Sequence, residues 1–394
     1  MKLLQIFNQY LYPGGEADVV ERISRLEAPN LLVEGCFFSS REWNEQKLPA
    51  SRQAGKMIKN PDALRQLRNM QRDTSSDIWL LHNLFPVGSA AIYREIKRSG
   101  IPAITYIHNF RPFSVNGYLW ANEHVETAGL RKNFWPEIRA GAWQDSKVKT
   151  FWYAMILKGL HAYGAYRRMD GWIAISDFMR NTFIEAGIEA SKIRTLRHSW
   201  DPLPSPPSHR DNGHYLFLGR LAPMKGISTL LETWALLTGE MRSACPRLII
   251  CGDGPLREVV ERFASTSKTV EFAGQVSGVN KSRLISGCRA MIAPSVWWEA
   301  LGLVTYEAYD FGKPMLAARS GGLNETVVDG KTGYLHDPGN AEELSRQILT
   351  LETTPGLRQA MGEEGRAWLL ANTSKEKWVA KFQQFLHDVI SNRT

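Results

Sequence analysis

Two glutamates with seven residues between them, Glu299 and Glu307, are the strongest candidates for chemistry in this sequence. Glu299 follows an apolar, strand-like run and Gly302 precedes a helix-like pattern, so we expect a loop carboxylate and a second carboxylate in the early turns of a helix. The unpaired amides at such a helix start, here those of Leu303 and Val304, are suited to hold a phosphate. An acidic helix start stabilised by the helix dipole is the alternative, and it explains only one of the two glutamates. The segment therefore predicts a pocket for both hydroxyls and phosphate.

Two cations follow another apolar run, Tyr215–Leu218, which we interpret as a strand. Gly219 and Arg220 come directly after it, and Lys225 lies a few residues further on. Arginine binds phosphate oxygens through its planar fork, and lysine does so as a point charge. The motif indicates a phosphate site, with two solvated surface cations as the alternative.

Two glycine-containing turns also follow predicted strands. Gly252 and Gly254 come after the run Leu248–Cys251, and Gly14 and Gly15 follow the strand at the start of the chain. Glycine lets the main chain approach a phosphate or a sugar closely, although the turn with Gly252 and Gly254 could be purely structural. Neither turn contains the GxGxxG fingerprint, which disfavours a nicotinamide-dependent oxidoreductase.

Two histidines, His82 and His108, directly follow two further predicted strands. Histidine at the carboxyl end of a parallel strand faces the ligand-binding edge of the sheet and can donate a hydrogen bond or exchange a proton. A structural hydrogen bond is the simpler interpretation for His82. His108 is accompanied by Arg111 and is the stronger functional candidate.

Residues 129–168 combine positive charge with aromatic rings. They contain eight Lys or Arg against two acids, together with eight Phe, Trp or Tyr. Such a composition suits a surface that rests on lipid headgroups, with residues 151–168 as an amphipathic helix. An ordinary helix with a solvated basic face is the alternative, and the sequence does not decide between them.

The elements that must position these residues are short β-rich runs alternating with helical patterns, which is typical of a parallel sheet covered by helices. The proline-rich segment 201–213 interrupts this alternation, and we interpret it as an interdomain linker because proline fixes φ and lacks an N–H donor. Residues 375–390 have aromatic residues at helical spacing and predict a terminal amphipathic helix. The predicted strands are Leu3–Phe7, Ile78–Leu81, Ile104–Ile107, Trp172–Ala174, Tyr215–Leu218, Leu248–Cys251, Met291–Ala293 and Met315–Ala317.

Composition limits the class of protein. A chain of 394 residues exceeds one ordinary core, and 43% hydrophobic residues exclude a disordered chain. The net charge of +8 arises entirely in residues 1–200, where 27 Lys and Arg face 19 Asp and Glu. An anionic membrane or phosphorylated lipid fits this charge at least as well as a nucleic acid, for which no binding motif appears. Four cysteines without CxxC spacing, and no secretory or membrane-spanning segment, predict a cytoplasmic protein with reduced thiols, which could sit peripherally at the membrane.

Taken together, these motifs resemble the retaining glycosyltransferases of family 4. The resemblance extends over nearly the whole chain and also includes Ile175–Phe178 and the Gly321-Gly322 pair with Glu325. It implies the α/β GT-B fold, in which two Rossmann-like doubly wound domains face each other and a C-terminal helix crosses back to the first domain. The implied domains are an N-terminal acceptor-binding domain over 1–205, a nucleotide-sugar-binding domain over 206–374, and a helix over 375–394 that packs on the first domain.

The same resemblance implies a role for each candidate residue. Arg220 and Lys225 would grip the diphosphate of a nucleotide-sugar, Glu307 would bind its ribose, and Glu299 would bind the donor sugar. His108 would orient or stabilise the sugar rather than attack it. The remaining donor contacts would come from the glycine turns and the helix start: Gly14, Gly15, Gly219, Gly252, Gly254, Leu301, Gly302, Leu303 and Val304.

The implied reaction is transfer of a sugar from a UDP- or GDP-sugar to a glycan or lipid-linked acceptor, with retention, in surface polysaccharide or lipopolysaccharide biosynthesis. Cations opposite the departing diphosphate stabilise charge that develops in the transition state. Because no Asp-x-Asp occurs in the chain, we expect no metal. We also expect no other cofactor and, since no binding motif appears, no nucleic-acid partner. An epimerase or phosphorylase of the same fold is the alternative. A silent sugar-nucleotide binder is disfavoured because the charged residues are all present.

Overall fold

The computed structural model describes residues 1–11, 15–45, 48–205 and 211–393, with Glu42 and Asn44 described by their backbone alone. Contacts divide the chain into two compact units. The first unit contains residues 1–121, 126–198 and those from 376 onward, and the second contains 122–125 and 199–375. The sequence predicts boundaries after residues 205 and 374.

The first unit contains one parallel sheet of six strands. The strands up to residue 195 are β1 (Lys2–Gln9), β2 (Leu32–Ser39), β3 (Ile78–Leu81), β4 (Ala103–Ile107), the two-residue β5 (Trp120–Ala121) and β6 (His124–Val125), β7 (Gly171–Ala174) and β8 (Ile193–Thr195). Without β5 and β6, the sheet has the order β2-β1-β3-β4-β7-β8. Because β2 and β3 lie on opposite sides of β1, the strand order reverses between β1 and β3. Open α/β sheets bind ligands outside the carboxyl ends of the strands at such a switch point.

The second unit contains a second six-stranded parallel sheet. Its strands are β9 (His214–Leu218), β10 (Arg247–Cys251), β11 (Val270–Gly274), β12 (Cys288–Ala293), β13 (Met315–Ala318) and β14 (Gly333–His336). Their order, β11-β10-β9-β12-β13-β14, is the doubly wound Rossmann order and places the switch point between β9 and β12.

Helices connect the strands of both sheets. In chain order they are α1 (Gly15–Ser24), α2 (Ser40–Glu45), α3 (Ala50–Ile58), α4 (Pro61–Thr74), α5 (Ala91–Ser99), α6 (Trp135–Ala140), α7 (Lys147–Tyr163), α8 (Asp177–Glu185), α9 (Ile227–Met241), α10 (Arg257–Thr266), α11 (Gly278–Gly287), α12 (Leu303–Asp310), α13 (Leu323–Thr326), α14 (Ala341–Thr353), α15 (Leu357–Asn372) and α16 (Lys375–Ser391). No helix within the described ranges has the length and apolarity needed to cross a membrane. All four cysteines are buried and free, as the sequence predicts.

The eight predicted strands are the four central strands of each sheet, whereas the edge strands β2, β8, β11 and β14 were not predicted. A central strand such as β3 is buried at every position and therefore appears as an unbroken apolar run. The edge strand β11 alternates between more and less exposed residues and contains a charged one. The missed strands therefore lack the apolar run by which the others were found.

The last helix belongs to the first unit, whereas the start of the proline-rich segment belongs to the second. A Cβ built on Gly171 of β7 would lie 2.9 Å from the ring of Phe385 and 3.0 Å from Val389, so α16 packs tightly on the first unit. In the second unit, the Trp200 indole and the Leu203 amide each donate to the Asp310 carboxylate at 2.9 Å. The beginning of the predicted linker is therefore fixed to the second unit, and residues 206–210 lie outside the described part.

Candidate active site

Two loops meet at the switch point of the second sheet, beyond the carboxyl ends of β9 and β12. Lys225 Nζ donates to Glu299 Oε1 at 2.6 Å, and Ser295 Oγ donates to the same oxygen at 2.7 Å. The backbones meet as well, since the Val296 amide donates to the Met224 carbonyl at 3.0 Å. The structure thus brings together a cation and a carboxylate that the sequence placed in separate motifs.

The Glu299 carboxylate is ionised at neutral pH although it is buried. Burial alone opposes ionisation, but the charge of Lys225 and hydrogen bonds from Lys225 and Ser295 outweigh it and lower the pKa of Glu299 below its usual value. The Lys225 ammonium also lies 4.9 Å from the centre of the Trp297 ring, within cation–π distance. The result is a desolvated ion pair beside an aromatic surface.

Glycines allow the neighbouring loops to approach the Glu299 loop. Gly226 has φ +72°, and a Cβ there would lie 1.8 Å from the carbonyl oxygen of Pro294. Gly321 has φ +55°, and its Cβ would lie 2.2 Å from the Glu299 carbonyl oxygen. The Gly322 amide donates to that same oxygen at 2.7 Å. Backbone contacts therefore fix the position of Glu299 from two sides.

Gly252 and Gly254 serve a contact between loops. They have φ +146° and +154°, a region open to glycine and strained for other residues. A Cβ on Gly252 would lie 1.8 Å from the Gly219 carbonyl oxygen, and one on Gly254 would lie 2.5 Å from that of Leu221. The structure thus brings Gly219, Gly252 and Gly254 together, and packing of the β10 loop on the β9 loop accounts for both β10-loop glycines without a ligand.

The predicted helix start is present at α12. Gly302 precedes its first residue with φ +85°, and the amides of Leu303 and Val304 are among the first of the helix, which have no acceptor within it. Leu301 is buried, whereas Leu303 and Val304 are half-buried. The loop carboxylate and the helix start therefore follow one another as the spacing predicts.

Glu307 and Arg220 differ in their partners. Glu307 lies in the second turn of α12 and forms an ion pair of 2.8 Å with Lys281 of α11. The Arg220 side chain is exposed and forms no ion pair with the described residues, and only its carbonyl is bound, by the Ala222 amide at 2.9 Å. Arg220 is thus a cation available to an incoming anion.

In the first unit, a carboxylate that follows β1 binds a residue that follows β3, at the switch point of the sheet. Glu16 accepts hydrogen bonds from the Asn83 amide at 3.1 Å and from Asn83 Nδ2 at 2.6 Å. Burial raises the pKa of Glu16 in spite of these bonds. Gly15 is the first residue of α1, and Gly14 lies outside the described residues.

Three histidines of the first unit stack around Tyr106. His82 Nδ1 and His108 Nε2 share a hydrogen bond of 2.8 Å, and the His108 and Tyr106 ring centres lie 4.7 Å apart. The Tyr106 hydroxyl lies 3.3 Å from His198 Nδ1. Burial, then the charge of His198, lowers the pKa of His82 to about 3, and burial with Arg22 does the same for His198.

Burial also lowers the pKa of His108 well below its usual value, with His82 and His198 contributing. All three rings are consequently neutral at pH 7. His108 can donate or accept a hydrogen bond, and it carries no positive charge to stabilise a leaving group.

Among the described residues, three side chains of the same region could together hold a metal ion. Glu16, His82 and His108 each offer one ligand atom, and these atoms lie within 4.8 Å of one another. Glu16 is already bound by Asn83, and the two histidines bind each other. A cation would have to displace these hydrogen bonds. The expectation of a metal-independent protein stays a prediction.

Several partners in these clusters were not predicted. Asn83 directly follows His82, and Ser295 lies four residues before Glu299, so proximity in the sequence was an available signal. Lys281 and His198 have no such signal, because they reach the site from elements far away in the sequence.

Comparison with known proteins places the chain in a family. The model for "Glycosyltransferase Family 4" matches residues 42–202, and the model for "Glycosyl transferases group 1" matches residues 205–368. The chain belongs to glycosyltransferase family 4. The two matches adjoin near the boundary between the two units.

Individual relatives agree with this family. A GDP-mannose-dependent α-(1-6)-phosphatidylinositol monomannoside mannosyltransferase of Mycolicibacterium smegmatis is 34% identical over 167 residues, which are 39% of this chain and 42% of the relative. The chain thus spans less than half the length of this curated relative.

Solved structures resemble the whole chain. HepE of Anabaena in complex with UDP-glucose has a TM-score of 0.70 at 18% identity, over 98% of this chain and 99% of its own. Sucrose-phosphate synthase of Thermosynechococcus elongatus has a TM-score of 0.72 at 16% identity, over the full length of both chains. Together with the two sheets, these likenesses show the GT-B α/β fold.

Proposed function

We propose that the protein is a retaining glycosyltransferase that moves a sugar from a UDP- or GDP-sugar to a glycan or lipid-linked acceptor during the assembly of a surface polysaccharide. The observation that carries this proposal is the desolvated Lys225–Glu299 pair at the switch point, where an open α/β sheet binds its ligand. Membership of family 4 and the UDP-glucose complex of HepE support a nucleotide-sugar donor. The mycobacterial relative, named as GDP-mannose-dependent, supports GDP as the other candidate.

Arg220 and Lys225 are the proposed diphosphate ligands. As the bond between the anomeric carbon and the diphosphate breaks, negative charge accumulates on the leaving oxygen, and fixed cations stabilise that charge more than the ground state. Arg220 is free to meet the diphosphate, and Lys225 exchanges part of its contact with Glu299 for it. The amides at the start of α12 complete the phosphate site.

The carboxylates are the proposed ligands for hydroxyl groups. Glu299 is ionised and accepts hydrogen bonds from the donor sugar, and Glu307 accepts them from the ribose after its contact with Lys281 rearranges. His108, held neutral, is the proposed residue that orients or stabilises the sugar. In the retaining step, the acceptor oxygen bonds to the anomeric carbon on the face that the diphosphate leaves, and the departing phosphate oxygen takes the acceptor's proton.

Contact with an anionic membrane would bring a lipid-linked acceptor to the first unit. The predicted amphipathic segment 151–168 is found as α7, which starts earlier at Lys147, ends at Tyr163, and is followed by a short 3-10 helix, Tyr166–Arg168. The helix exposes Val148 (79%) and Phe151 (43%) beside basic residues. Apolar side chains next to Lys and Arg suit an anionic interface.

A groove of about 550 Å³ in the first unit adds to this support. Its lining includes apolar side chains such as Ile58 and Met155, together with more basic than acidic residues. The basic residues are Lys59, Arg68, Arg94 and Arg98, and the acid is Glu95, which pairs with Arg68. Apolar side chains beside an excess of cations fit an acyl chain and its acidic headgroup.

Vesicle flotation tests the membrane contact. We expect the protein to float with vesicles containing phosphatidylglycerol and not with pure phosphatidylcholine, and Val148→Glu to reduce flotation several-fold. Val279→Glu is the matched control, because Val279 is equally exposed (84%) but lies on the second unit. Equal loss in both variants would remove the proposed role of α7.

A product assay tests the reaction itself. Incubation with a panel of UDP- and GDP-sugars and glycan or lipid-phosphate acceptors should place the labelled sugar in a larger molecule, and EDTA should leave the rate unchanged. Isomerised or phosphorylated free sugar would instead identify an epimerase or phosphorylase. If neither UDP nor GDP is released from any of the donors, the proposal is refuted.

A further inference from the structure

A guanidinium without a carboxylate partner lies beyond the carboxyl end of β4. Arg111 forms no ion pair with any described residue, and its Nε atom is buried without a hydrogen-bond partner among them. Buried cations in proteins are normally paired, because desolvating an unpaired charge is costly. Its backbone is fixed, since the Arg111 amide donates to Asn109 Oδ1 at 3.0 Å. The side chain is therefore held in place without the anion that its charge demands.

Two phenols lie beside Arg111, and the hydroxyl of one of them is also unsatisfied. The guanidinium carbon lies 5.9 Å from the ring centre of Tyr10, the residue that follows β1. Tyr153 of α7 is fully buried and interacts with Arg111 through its charge and a side-chain hydrogen bond, so its hydroxyl lies close to the guanidinium. The Tyr10 hydroxyl has no hydrogen-bond partner among the described residues. Two unsatisfied donors, Arg111 Nε and the Tyr10 hydroxyl, consequently lie in one cluster with the Tyr153 hydroxyl.

The nearest acid does not neutralise this cluster. Glu16 interacts electrostatically with Arg111, but its two oxygens are bound by Asn83 and it makes no direct ion pair with the guanidinium. The cluster also belongs to the half of the chain that carries the whole net charge of +8. What would satisfy it is a group that only accepts hydrogen bonds and carries negative charge.

We propose that Arg111, Tyr10 and Tyr153 bind an anionic oxygen group, a phosphate or a carboxylate, on the acceptor. The planar guanidinium presents its N–H groups in the fork that fits two oxygens of such a group, and the hydroxyls bind a further oxygen. The acceptor is therefore an acidic glycan or a lipid-linked phosphate rather than a neutral sugar. This assignment of the acceptor rests on the proposed transfer reaction, whereas the oxyanion site itself does not.

Calorimetric titration of the purified full chain tests the site. Inorganic phosphate and glucuronate are the two probes, and Arg220→Gln is the background because it removes the exposed cation of the second unit. We expect one or both probes to bind, and Arg111→Gln to weaken that binding by about 10-fold or more, since a charge-assisted pair is lost. Tighter binding of phosphate indicates a lipid-linked phosphate, and tighter binding of glucuronate indicates an acidic glycan.

Matched variants separate binding from folding. Tyr153→Phe removes only one hydroxyl and keeps the ring, so we expect a few-fold weaker binding with an unchanged melting temperature. Arg139→Gln removes an exposed arginine of the same unit and should leave binding unchanged. Unchanged probe affinity in both Arg111→Gln and Tyr153→Phe, or no probe binding at all, would overturn the proposal.

Kinetics link the site to the acceptor. Arg111→Gln should raise the KM for an anionic acceptor at least about 10-fold and leave the KM for the donor unchanged. If probes bind through Arg111 but the wild-type protein releases no nucleoside diphosphate from any donor, the oxyanion site stands and the proposed function fails. A rise in donor KM instead would place Arg111 on the donor and overturn the acceptor assignment.

Discussion

The ammonium of Lys225 and the carboxylate of Glu299 lie 2.6 Å apart, with side chains only 25% and 12% exposed. The cation proposed for the diphosphate is thus already paired before a donor arrives. The pair with Glu299 keeps Lys225 oriented before a donor binds. An anionic donor must then share this cation with Glu299. Arg220, exposed and without an ion pair among the described residues, has no such constraint.

Replacing Lys225 should destabilise the second unit. Lys225→Met leaves the Glu299 carboxylate buried without its cation, which costs about 3 kcal/mol of unfolding free energy when one partner of a buried pair is removed. Urea denaturation measures this loss, with the exposed Lys268→Met as control. The double variant Lys225→Met/Glu299→Gln should regain part of the stability. A single variant as stable as wild type would show that the pair is not desolvated.

Replacing Arg220 should reduce turnover without affecting stability. Arg220→Gln removes an exposed side chain, so we expect an unchanged melting temperature and a loss of roughly 10²–10³ in kcat, as for other groups that stabilise developing charge. Steady-state kinetics of nucleoside diphosphate release measure the effect. Arg247→Gln, which removes an exposed arginine paired with Glu271, is the control. A change in donor KM alone would indicate binding equal in ground and transition states.

The buried histidines should make the first unit sensitive to acid. His198 titrates near 6.5 when unfolded, but its pKa falls to about 3 in the folded protein. Between these values the unfolded chain binds more protons, so stability is full above about pH 6.5 and falls as the pH decreases. At pH 5 the loss is about 2 kcal/mol for this one group.

The variant His198→Gln isolates this effect, because glutamine does not titrate and can still bond to the Tyr106 hydroxyl. Unfolding free energies at pH 7.5 and pH 5 should differ less in the variant than in wild type by roughly that amount. An equal acid loss in both proteins would show that His198 is not held neutral.

The close contact at Gly226 should not tolerate a side chain. Gly226→Ala introduces both an unfavourable φ and a Cβ 1.8 Å from the Pro294 carbonyl oxygen. Gly356→Ala is the matched control, because Gly356 has nearly the same φ, +75°, with no atom within 4 Å. The control should lose about 1 kcal/mol from backbone strain alone.

We expect a clearly larger loss for Gly226→Ala, measured by urea denaturation, together with weaker donor binding because the β9 and β12 loops separate. Equal losses in the two alanine variants would mean that the loops can relax away from each other.

The central strands of both sheets could be predicted from the sequence because they are buried on both faces. Ile78–Leu81 is such a strand, and its observed limits are those predicted. At the edges, β2 has only two fully buried residues among its eight, and β8 has three residues in all. Neither the apolar run nor the alternation is then long enough to be distinguished from a loop.

The parts of the candidate site that directly follow strands could be predicted from the sequence. Lys225 and Glu299 follow the neighbouring strands β9 and β12, and residues at the carboxyl ends of neighbouring parallel strands lie close together. Lys281 depends on which helix lies beside α12, and strand-end rules do not give that. Gly252 illustrates another limit, because a ligand and a neighbouring loop both require the absence of a Cβ.

The position of α16 has a consequence for biosynthesis. Its residues Phe385 and Val389 cover Gly171. The packing of the first unit around β7 is therefore incomplete until α16 has been synthesised. The second unit, almost all of it within 199–375, is complete in sequence earlier. On the ribosome, the half that is translated first is therefore the half that must wait, and nascent chains halted before residue 376 should expose its unfinished surface to chaperones.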